Sequence, residues 1–340
     1  MLAMLTAAVL IGHQTVPPMD RDESRFAQAS KQMLASGDYV TVRFQDELRA
    51  KKPAGIYWLQ SAAAGLFGAD DIAAYRLPSL LAFLAAIWGT YHLASHLYRK
   101  PRALLAAAVL GASLLAFAEA HLAKTDTVLM ALCLAQQMAL MRIYLAVQLG
   151  RAPPERSWLW FWVFMGAAIM IKGPIAPLLG LVTIAALCLW DRSCRWLEQL
   201  HFARGLLVLA ALTLPWAILV TLATDGAFLD IAVRGDFLAK VKAGQESHGA
   251  PIGTYIVLLG LLIWPGCILL PRAVAQVPAL LAHAQSRFLI AWIVPFWLLI
   301  ELIPTKLPHY PLPVFPALAV LLVCAFEVPL PGDPKSGRLR

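Results

Sequence analysis

The chain has 340 residues, of which 60% are hydrophobic and 14% are charged, and its mean hydropathy is +0.69. A soluble domain cannot bury that much apolar surface, so the composition indicates a polytopic membrane protein. The net charge of +8 is accompanied by no glycine-rich phosphate loop and no nucleic-acid motif, so nucleic acid is not an expected partner.

The apolar segments predict an all-α bundle of about ten transmembrane helices, because each crossing of a ~30 Å bilayer core needs roughly 20 apolar residues. The predicted spans are residues 1–12, 78–97, 103–119, 126–148, 157–171, 174–190, 206–222, 252–270, 288–303 and 311–326. The first is too short to cross alone, so either the chain begins inside a helix or its true start lies upstream. Its flanks lack the features of a cleaved signal peptide.

The basic residues in short loops predict the orientation, because Lys and Arg near helix ends are retained in the cytoplasm. Clusters such as 99–102 and 192–195 fall on one side of the bundle, which places both termini there. The opposite face receives the first long loop, residues 13–77. We therefore predict one transmembrane domain over 1–326 and a cytoplasmic tail over 327–340.

The first long loop carries two segments with the spacing of amphipathic helices lying on a membrane surface. One covers residues 24–35, and the other covers residues 56–67. In the second segment, Tyr57 and Trp58 are expected at the aromatic belt of the membrane interface.

The cysteines lie in or beside predicted helices, at positions 133, 188, 194, 267 and 324, and form no CxxC pair. Neither a disulfide framework nor a zinc knuckle is indicated. Small hydrophobic packing residues are the interpretation that fits them.

Seven short motifs follow one another along the predicted outer face. They are DESRFA at 22–27, MLASGD at 33–38, KPAGIYW at 52–58, YRLPS at 75–79, TDT at 125–127, KGP at 172–174 and KLPHYPLP at 306–313. Together they resemble the membrane core of the GT-C glycosyltransferases of the protein O-mannosyltransferase and lipid A aminoarabinose transferase type, over residues 1–326.

The resemblance implies transfer of a sugar from a polyprenyl-phosphate donor to a lipid A, glycan or protein acceptor. It also implies a multi-pass protein of the bacterial inner membrane, with its active site on the periplasmic side and membrane lipids as further partners. The sugar and the acceptor are not specified by the motifs.

Cations are expected around the donor phosphate, because fixed positive charge stabilises the lipid phosphate as it departs. By their positions in the motifs, the expected phosphate-binding residues are Arg25, Lys52, Lys172, Lys306 and Tyr310. Two alternatives stay open. Lys172 could instead snorkel from a helix end, and Lys52 could contact a lipid headgroup.

Carboxylates next to these motifs are the catalytic candidates. Asp22 is expected to take the proton of a hydroxyl acceptor, or, for a phosphate acceptor, to position it or stabilise charge on the sugar. Asp126 is the second candidate, and its alternative is a helix cap paired with Lys124. Glu23 is a further site candidate whose alternative is capping of the following helix.

Tyr57, Lys124, His248 and His309 complete the candidate site. In the aminoarabinose transferases an acidic residue before the loop lysine helps to form a metal site, but Lys51 stands there in this chain. His248 could match the histidine of that site. Without the acidic partner, we predict no metal ligands and no required cofactor, and a divalent metal is the open alternative.

Two functions of other classes compete with glycosyl transfer. A transporter or flippase for lipid-linked anionic glycans would also place cations near helix ends, but it typically shows broken helices in paired halves. A catalytically silent membrane partner is the third hypothesis.

Overall fold

The computed structural model describes residues 7–18, 20–97, 100–233 and 249–326, so His248 and the predicted tail lie outside it. This part is predominantly helical, and its named strands form a single short hairpin, which confirms the all-α prediction. The helices of the first half are α1 Arg21–Ser36, α2 Gly55–Phe67, α3 Ile72–Leu97, α4 Lys100–Ala112, α5 Leu114–Ala120, α6 Asp126–Gln148, α7 Ser157–Lys172 and α8 Ile175–Asp191. Those of the second half are α9 Phe202–Ala223, α10 Ala227–Asp230, α11 Thr254–Leu262, α12 Leu270–Ala275, α13 Val277–Leu280, α14 Ala284–Leu302 and α15 Phe315–Cys324. Short 3₁₀ turns cover Arg195–Leu200, Gly266–Leu269 and Leu312–Val314.

Helix α1 is delimited by its own sequence. Asp20 caps its first turn by accepting a hydrogen bond from the backbone N–H of Asp22 at 2.8 Å. At the other end Gly37 adopts a left-handed conformation, with φ at +70°, and its N–H donates to the carbonyl of Met33. Both ends therefore satisfy backbone groups that a helix terminus otherwise leaves unpaired.

A small antiparallel hairpin between α1 and α2 pairs Arg43–Phe44 with Glu47–Leu48. Gln32 of α1 holds its turn, because its side chain donates to the carbonyl of Gln45 and accepts from the N–H of Gln45. This hairpin orients the following residues, 49–54, toward the bundle.

The start of α2 rests on the backbone of α7. A Cβ atom on Gly55 would lie 2.6 Å from the carbonyl oxygen of Met170, so only glycine permits this approach. The contact brings the loop ahead of α2 beside the end of α7. Tyr57 is fully buried in α2, so its predicted place at the membrane interface is wrong.

The predicted spans from 78–97 onward coincide with helices, but the expected number of ten is not confirmed. Within the described ranges, α3, α6, α9 and α14 are long and apolar enough to cross a membrane. The number rises to six if each of two bent helix pairs forms one span. The helices α7, α8 and the 312–324 segment are apolar but shorter.

The two bent pairs account for part of this difference. The chain turns by 63° between α4 and α5, and by 110° between α11 and the segment Gly266–Ala275. The two breaks lie against one another, because the N–H of Leu114 donates to the carbonyl of Trp264 at 2.9 Å. The hydroxyl of Ser113 also donates to the carbonyl of Leu262. The residues at one break thus form hydrogen bonds with backbone groups that would otherwise be unpaired at the other break.

Helix α6 forms the centre of the bundle and packs against α3, α7 and α8. In contrast, only 11% of the most apolar stretch of α9 is buried inside the protein, so this helix presents apolar side chains outward. A buried helix with an apolar, exposed neighbour is the arrangement expected of a membrane bundle.

Candidate active site

Two cavities meet at one end of the bundle. A polar cavity of about 90 Å³ adjoins a largely apolar cavity of about 470 Å³. The residues that line both of them are Lys51, Lys52, Asp126, Lys172, His309 and Tyr310. The polar cavity is also lined by Arg21, Asp22, Phe26, Arg49, Lys124, Thr125, Thr305 and Leu307. Charged groups thus concentrate where an apolar space opens into a polar one.

The junction between the cavities is built from chain ends and loops. Lys52 precedes α2, Asp126 begins α6, Lys172 ends α7, and His309 and Tyr310 follow α14. Since the ends of several apolar helices converge here, polar side chains can meet without interrupting a helix.

Asp126 and Lys172 form a direct ion pair at the junction. The Asp126 side chain is 4% exposed and that of Lys172 is 11% exposed. The ammonium group of Lys172 also lies 5.6 Å from the centroid of the Tyr310 ring, within the range of a cation–π contact. These contacts hold the Lys172 ammonium in place beside both cavities.

A second lysine, Lys124, bridges two carboxylates on the polar side. Its Nζ lies 2.9 Å from Asp20 Oδ2 and 3.2 Å from Glu119 Oε1. Burial lowers the pKa of Lys124, but the carboxylates of Glu119, Asp126 and Asp20 raise it above the ordinary value. For Asp20, burial raises the pKa, but pairing with Lys124 outweighs burial, and the pKa is below its ordinary value. Both groups are therefore charged at neutral pH.

His309 lies between the two buried carboxylates. Its Nδ1 is 3.7 Å from Glu119 Oε1, and its Nε2 is 3.7 Å from Asp126 Oδ1. Burial lowers the pKa of His309 well below its ordinary value and outweighs the opposing attraction of Asp126. The imidazole is therefore neutral at pH 7.

Glu119, Asp126 and His309 each offer a ligand atom, and these atoms lie within 4.8 Å of one another. Two carboxylates and an imidazole are a donor set that a divalent cation accepts. Here, however, each carboxylate is already paired with an ammonium group, Glu119 with Lys124 and Asp126 with Lys172. The two lysines supply the positive charge that a metal would otherwise bring.

Asp22 lies at the rim of the polar cavity, and its side chain is 45% exposed. The guanidinium of Arg25 approaches it to 3.9 Å, and Arg25 itself does not line the described walls of either cavity. Asp22 is thus the carboxylate that a molecule entering from solvent meets first.

The structure does not bring Lys306 to the cavities in the way the sequence predicts. Its Nζ donates to the carbonyls of Glu301 at 2.6 Å and Ile303 at 2.5 Å, and also reaches that of Ile300. A lysine that binds the last carbonyls of a helix caps its C-terminus. The Lys306 ammonium is therefore engaged with the carbonyl groups at the end of α14.

Glu23 also departs from its predicted role as a site residue. It is fully buried and pairs with Arg76, with Nε 2.7 Å from Oε1, and it accepts the N–H of Ala123 at 3.1 Å. The cap of α1 is Asp20, so the alternative of a Glu23 cap is wrong as well. Glu23 ties α1 to α3 beneath the site.

Four charged residues at the site were not among the sequence candidates: Arg21, Arg49, Lys51 and Glu119. Glu119 could have been noticed, because an acidic residue at the end of an apolar span is costly and often functional. Arg49 lies in a loop with many charges, and nothing in the sequence distinguishes it from its neighbours.

Comparison with known proteins identifies the family. Residues 51–219 match the family described as dolichyl-phosphate-mannose-protein mannosyltransferase. Over 307 residues the chain is 31% identical to an undecaprenyl phosphate-alpha-4-amino-4-deoxy-L-arabinose arabinosyl transferase from Erwinia tasmaniensis, covering 88% of this chain and 54% of that protein. A Pseudomonas aeruginosa protein of the same name is 30% identical over 308 residues, with the same two coverages.

Solved structures agree with these relatives. ArnT from Cupriavidus metallidurans bound to undecaprenyl phosphate superimposes with a TM-score of 0.81 at 22% identity, covering 99% of this chain and 61% of that one. The archaeal oligosaccharyltransferase AglB from Archaeoglobus fulgidus gives 0.61 at 12% identity, covering 96% and 50%. This chain belongs to the GT-C glycosyltransferases. The GT-C chain described here spans about half the length of the curated relatives it matches.

Proposed function

We propose that this GT-C chain transfers a sugar from a polyprenyl-phosphate donor to a lipid, glycan or protein acceptor. Its relatives carry the name of an undecaprenyl-phosphate-dependent arabinosyl transferase, and one solved structure with the same fold holds undecaprenyl phosphate. We further propose the bacterial inner membrane as its location, with the site on the periplasmic face.

The observation that carries this proposal is the junction of the two cavities. The apolar cavity suits an isoprenoid chain, and the polar cavity suits a sugar and its acceptor. Lys52 and Lys172 line both spaces, so a phosphate that joins lipid to sugar would meet cations at the junction. Lys52 and Lys172 are the phosphate-binding residues we favour, with Tyr310 beside them.

The chemistry follows from this placement. When the bond between the anomeric carbon and the phosphate oxygen breaks, negative charge grows on the lipid phosphate. Ammonium groups already fixed at that point stabilise this charge without transferring a proton. Lys172 is held in place by Asp126 and Tyr310, so it needs little reorganisation during the reaction.

Asp22 is the better of the two candidate bases. The Asp126 carboxylate is almost fully buried and paired with Lys172, whereas Asp22 lines the polar cavity and is partly exposed. A partly exposed carboxylate can accept the proton of an incoming hydroxyl group. In this arrangement Asp126 positions Lys172. Arg25, which the sequence predicts as a phosphate-binding residue, lies beside Asp22 instead and orients it.

The transporter alternative predicts broken helices, and two breaks are present. They pair with each other through Leu114 and Trp264, and neither break lies among the residues that line the two cavities. In transporters the broken helices form the substrate site itself. The breaks therefore favour a structural interpretation, and glycosyl transfer explains the cavities better.

The test is turnover of undecaprenyl-phosphate sugars by the purified chain in lipid nanodiscs, followed as release of undecaprenyl phosphate. Release that depends on added acceptor, and that is lost in Asp22→Asn, would support the proposal. Tight donor binding with no release under any acceptor would favour a silent binding partner. Movement of intact donor across a vesicle membrane would favour the flippase.

A further inference from the structure

Arg49 is a buried cation held by aromatic side chains. It is 8% exposed, its Nε donates to the Tyr57 hydroxyl at 3.0 Å, and its Cζ lies 5.0 Å from the centroid of the Phe26 ring. The Phe44 ring lies 5.9 Å away. Its backbone N–H also donates to the carbonyl of Val42, so hairpin and helices together fix the guanidinium. The side chain is preorganised before any ligand arrives.

No carboxylate pairs with this guanidinium in the described part of the chain, and Nη1 and Nη2 make no hydrogen bond there. Arg76 shows what a buried arginine in this protein ordinarily has. It is 1% exposed, and its nitrogens contact both oxygens of Glu23 and the carbonyls of His13 and Val16. The Nη1 and Nη2 atoms of Arg49 are not among the fully buried polar atoms that lack a partner, so they open onto the polar cavity that Arg49 lines. Arg49 thus has donors available for a group that is not part of the described protein.

The position of Arg49 indicates where that group would lie. Arg49 lines the polar cavity, together with Phe26, but not the apolar cavity. Lys52 and Lys172 line both cavities and are the residues that meet the lipid phosphate under the proposed function. A ligand of Arg49 would therefore lie on the polar side of the junction.

We propose that Arg49 anchors a second oxyanion subsite, which takes a phosphate or carboxylate carried by the acceptor or by the transferred sugar. The fork of a guanidinium matches either group with two parallel hydrogen bonds. The statement that this anion differs from the lipid phosphate rests on the proposed function. The statement that Arg49 binds an oxyanion does not.

The experiment uses the full chain in nanodiscs, loaded with undecaprenyl phosphate and titrated with glucose 6-phosphate, glucuronate or glucose. Binding is followed by calorimetry in wild type, Arg49→Gln and Arg49→Lys. The matched control is Arg43→Gln, because Arg43 is exposed on the same hairpin and does not line the cavities. We expect an anionic sugar to bind the loaded wild type and the control. We expect Arg49→Gln to weaken that binding about ten- to a hundredfold, with Arg49→Lys in between.

Three results would overturn the proposal. One is equal affinity in wild type and Arg49→Gln. Another is binding of the anionic sugars only in competition with undecaprenyl phosphate. The third is a lower melting temperature of ligand-free Arg49→Gln with unchanged affinity of its folded fraction, since that would make Arg49 merely structural.

The same titrations also show whether the anion belongs to the transferred sugar or to the acceptor, and they test the proposed function separately from the role of Arg49. If the transferred sugar carries the anion, undecaprenyl-phosphate glucuronate will displace glucose 6-phosphate, whereas a donor with neutral glucose will not. If the acceptor carries it, neither donor will displace it. Failure of wild type to bind undecaprenyl phosphate would reject the proposed function alone, because Arg49-dependent binding can still be measured in the unloaded protein.

Discussion

The two ends of α6 carry different polar clusters. At its first residue, Asp126 lies beside Lys172, His309 and the two cavities. Near its last residue, Tyr144 and Gln148 both donate to Asp191. Arg287 of α14 completes this second cluster, with Nη1 3.2 Å from Asp191 Oδ1. None of its residues lines either of the two cavities at the other end.

The difference between these ends lies in how completely the acids are satisfied. Asp191 receives donors on both oxygens and joins α6, α8 and α14. At the other end, the Oε2 of Glu119 is buried and has no hydrogen-bond partner in the described ranges. A carboxylate with donors on both oxygens, such as Asp191, stabilises a fold, whereas Glu119 keeps one buried oxygen unpaired in the cluster around Lys124.

The largest expected effect comes from Asp22→Asn, which keeps the shape of the side chain and removes its charge. If Asp22 is the base, turnover should fall roughly a hundredfold to ten-thousandfold. Donor affinity should be retained, because cations hold the lipid phosphate. The measurement is single-turnover transfer together with donor binding. Near wild-type turnover would exclude Asp22 as the base and favour Asp126.

Lys52→Gln should weaken donor binding about ten- to a hundredfold, since it removes a charge-assisted contact to the phosphate. Lys31→Gln is the matched control, because Lys31 pairs with Asp70 on the surface and does not line the cavities. The readout is the dissociation constant for undecaprenyl phosphate in nanodiscs. Equal loss in both variants would indicate a general attraction to anionic lipid.

Asp191→Ala tests the opposite end of α6. It leaves Tyr144, Gln148 and Arg287 without their shared acceptor, so the free energy of unfolding should fall by about 1–3 kcal/mol. Donor affinity of the folded protein should stay unchanged. Unfolding in detergent and donor binding measure the two quantities. A loss of donor affinity without a loss of stability would contradict the assignment of a structural role to the Asp191 end of α6 and a ligand-binding role to the Asp126 end.

Lys306→Gln separates the sequence prediction from the observed contacts. Because the ammonium caps α14, we expect a loss of about 1–2 kcal/mol in stability and little change in donor affinity. A tenfold weaker donor affinity at unchanged stability would restore the predicted phosphate-binding role.

The smallest expected effect concerns pH and His309. Since its pKa in the folded protein is below the ordinary value of about 6.5, the unfolded chain binds more protons as the pH falls below that value. Wild type should therefore lose stability below about pH 6.5, and His309→Gln should lose less. Melting temperatures between pH 7.5 and pH 5 provide the measurement. Identical pH profiles would show that His309 titrates normally.

Much of the fold could be predicted because apolar runs determine it locally. The predicted span 126–148 coincides with α6, whose limits are an acidic residue and a glycine-containing turn. The breaks at Ser113 and Trp264 could not be predicted in this way, because each depends on hydrogen bonds from a distant segment.

The candidate site shows the same division. The polar cavity is lined by motif residues Asp22, Lys52, Asp126, Lys172, His309 and Tyr310 and by Lys124 next to a motif, although their roles stay predictions. Lys306 and Glu23 instead serve structural contacts. A motif indicates that a residue is near the site, but only packing determines whether its charge faces the ligand or a helix end.

The two helix breaks have a consequence for how the protein assembles. Leu114 obtains its backbone acceptor from Trp264, which lies 150 residues later in the chain. Until α11 is made and docked, the N–H at the first break has no protein partner within an apolar segment, which is unfavourable in lipid. The first half of the bundle therefore completes its structure only after the second half has arrived, although synthesis proceeds from the N-terminus.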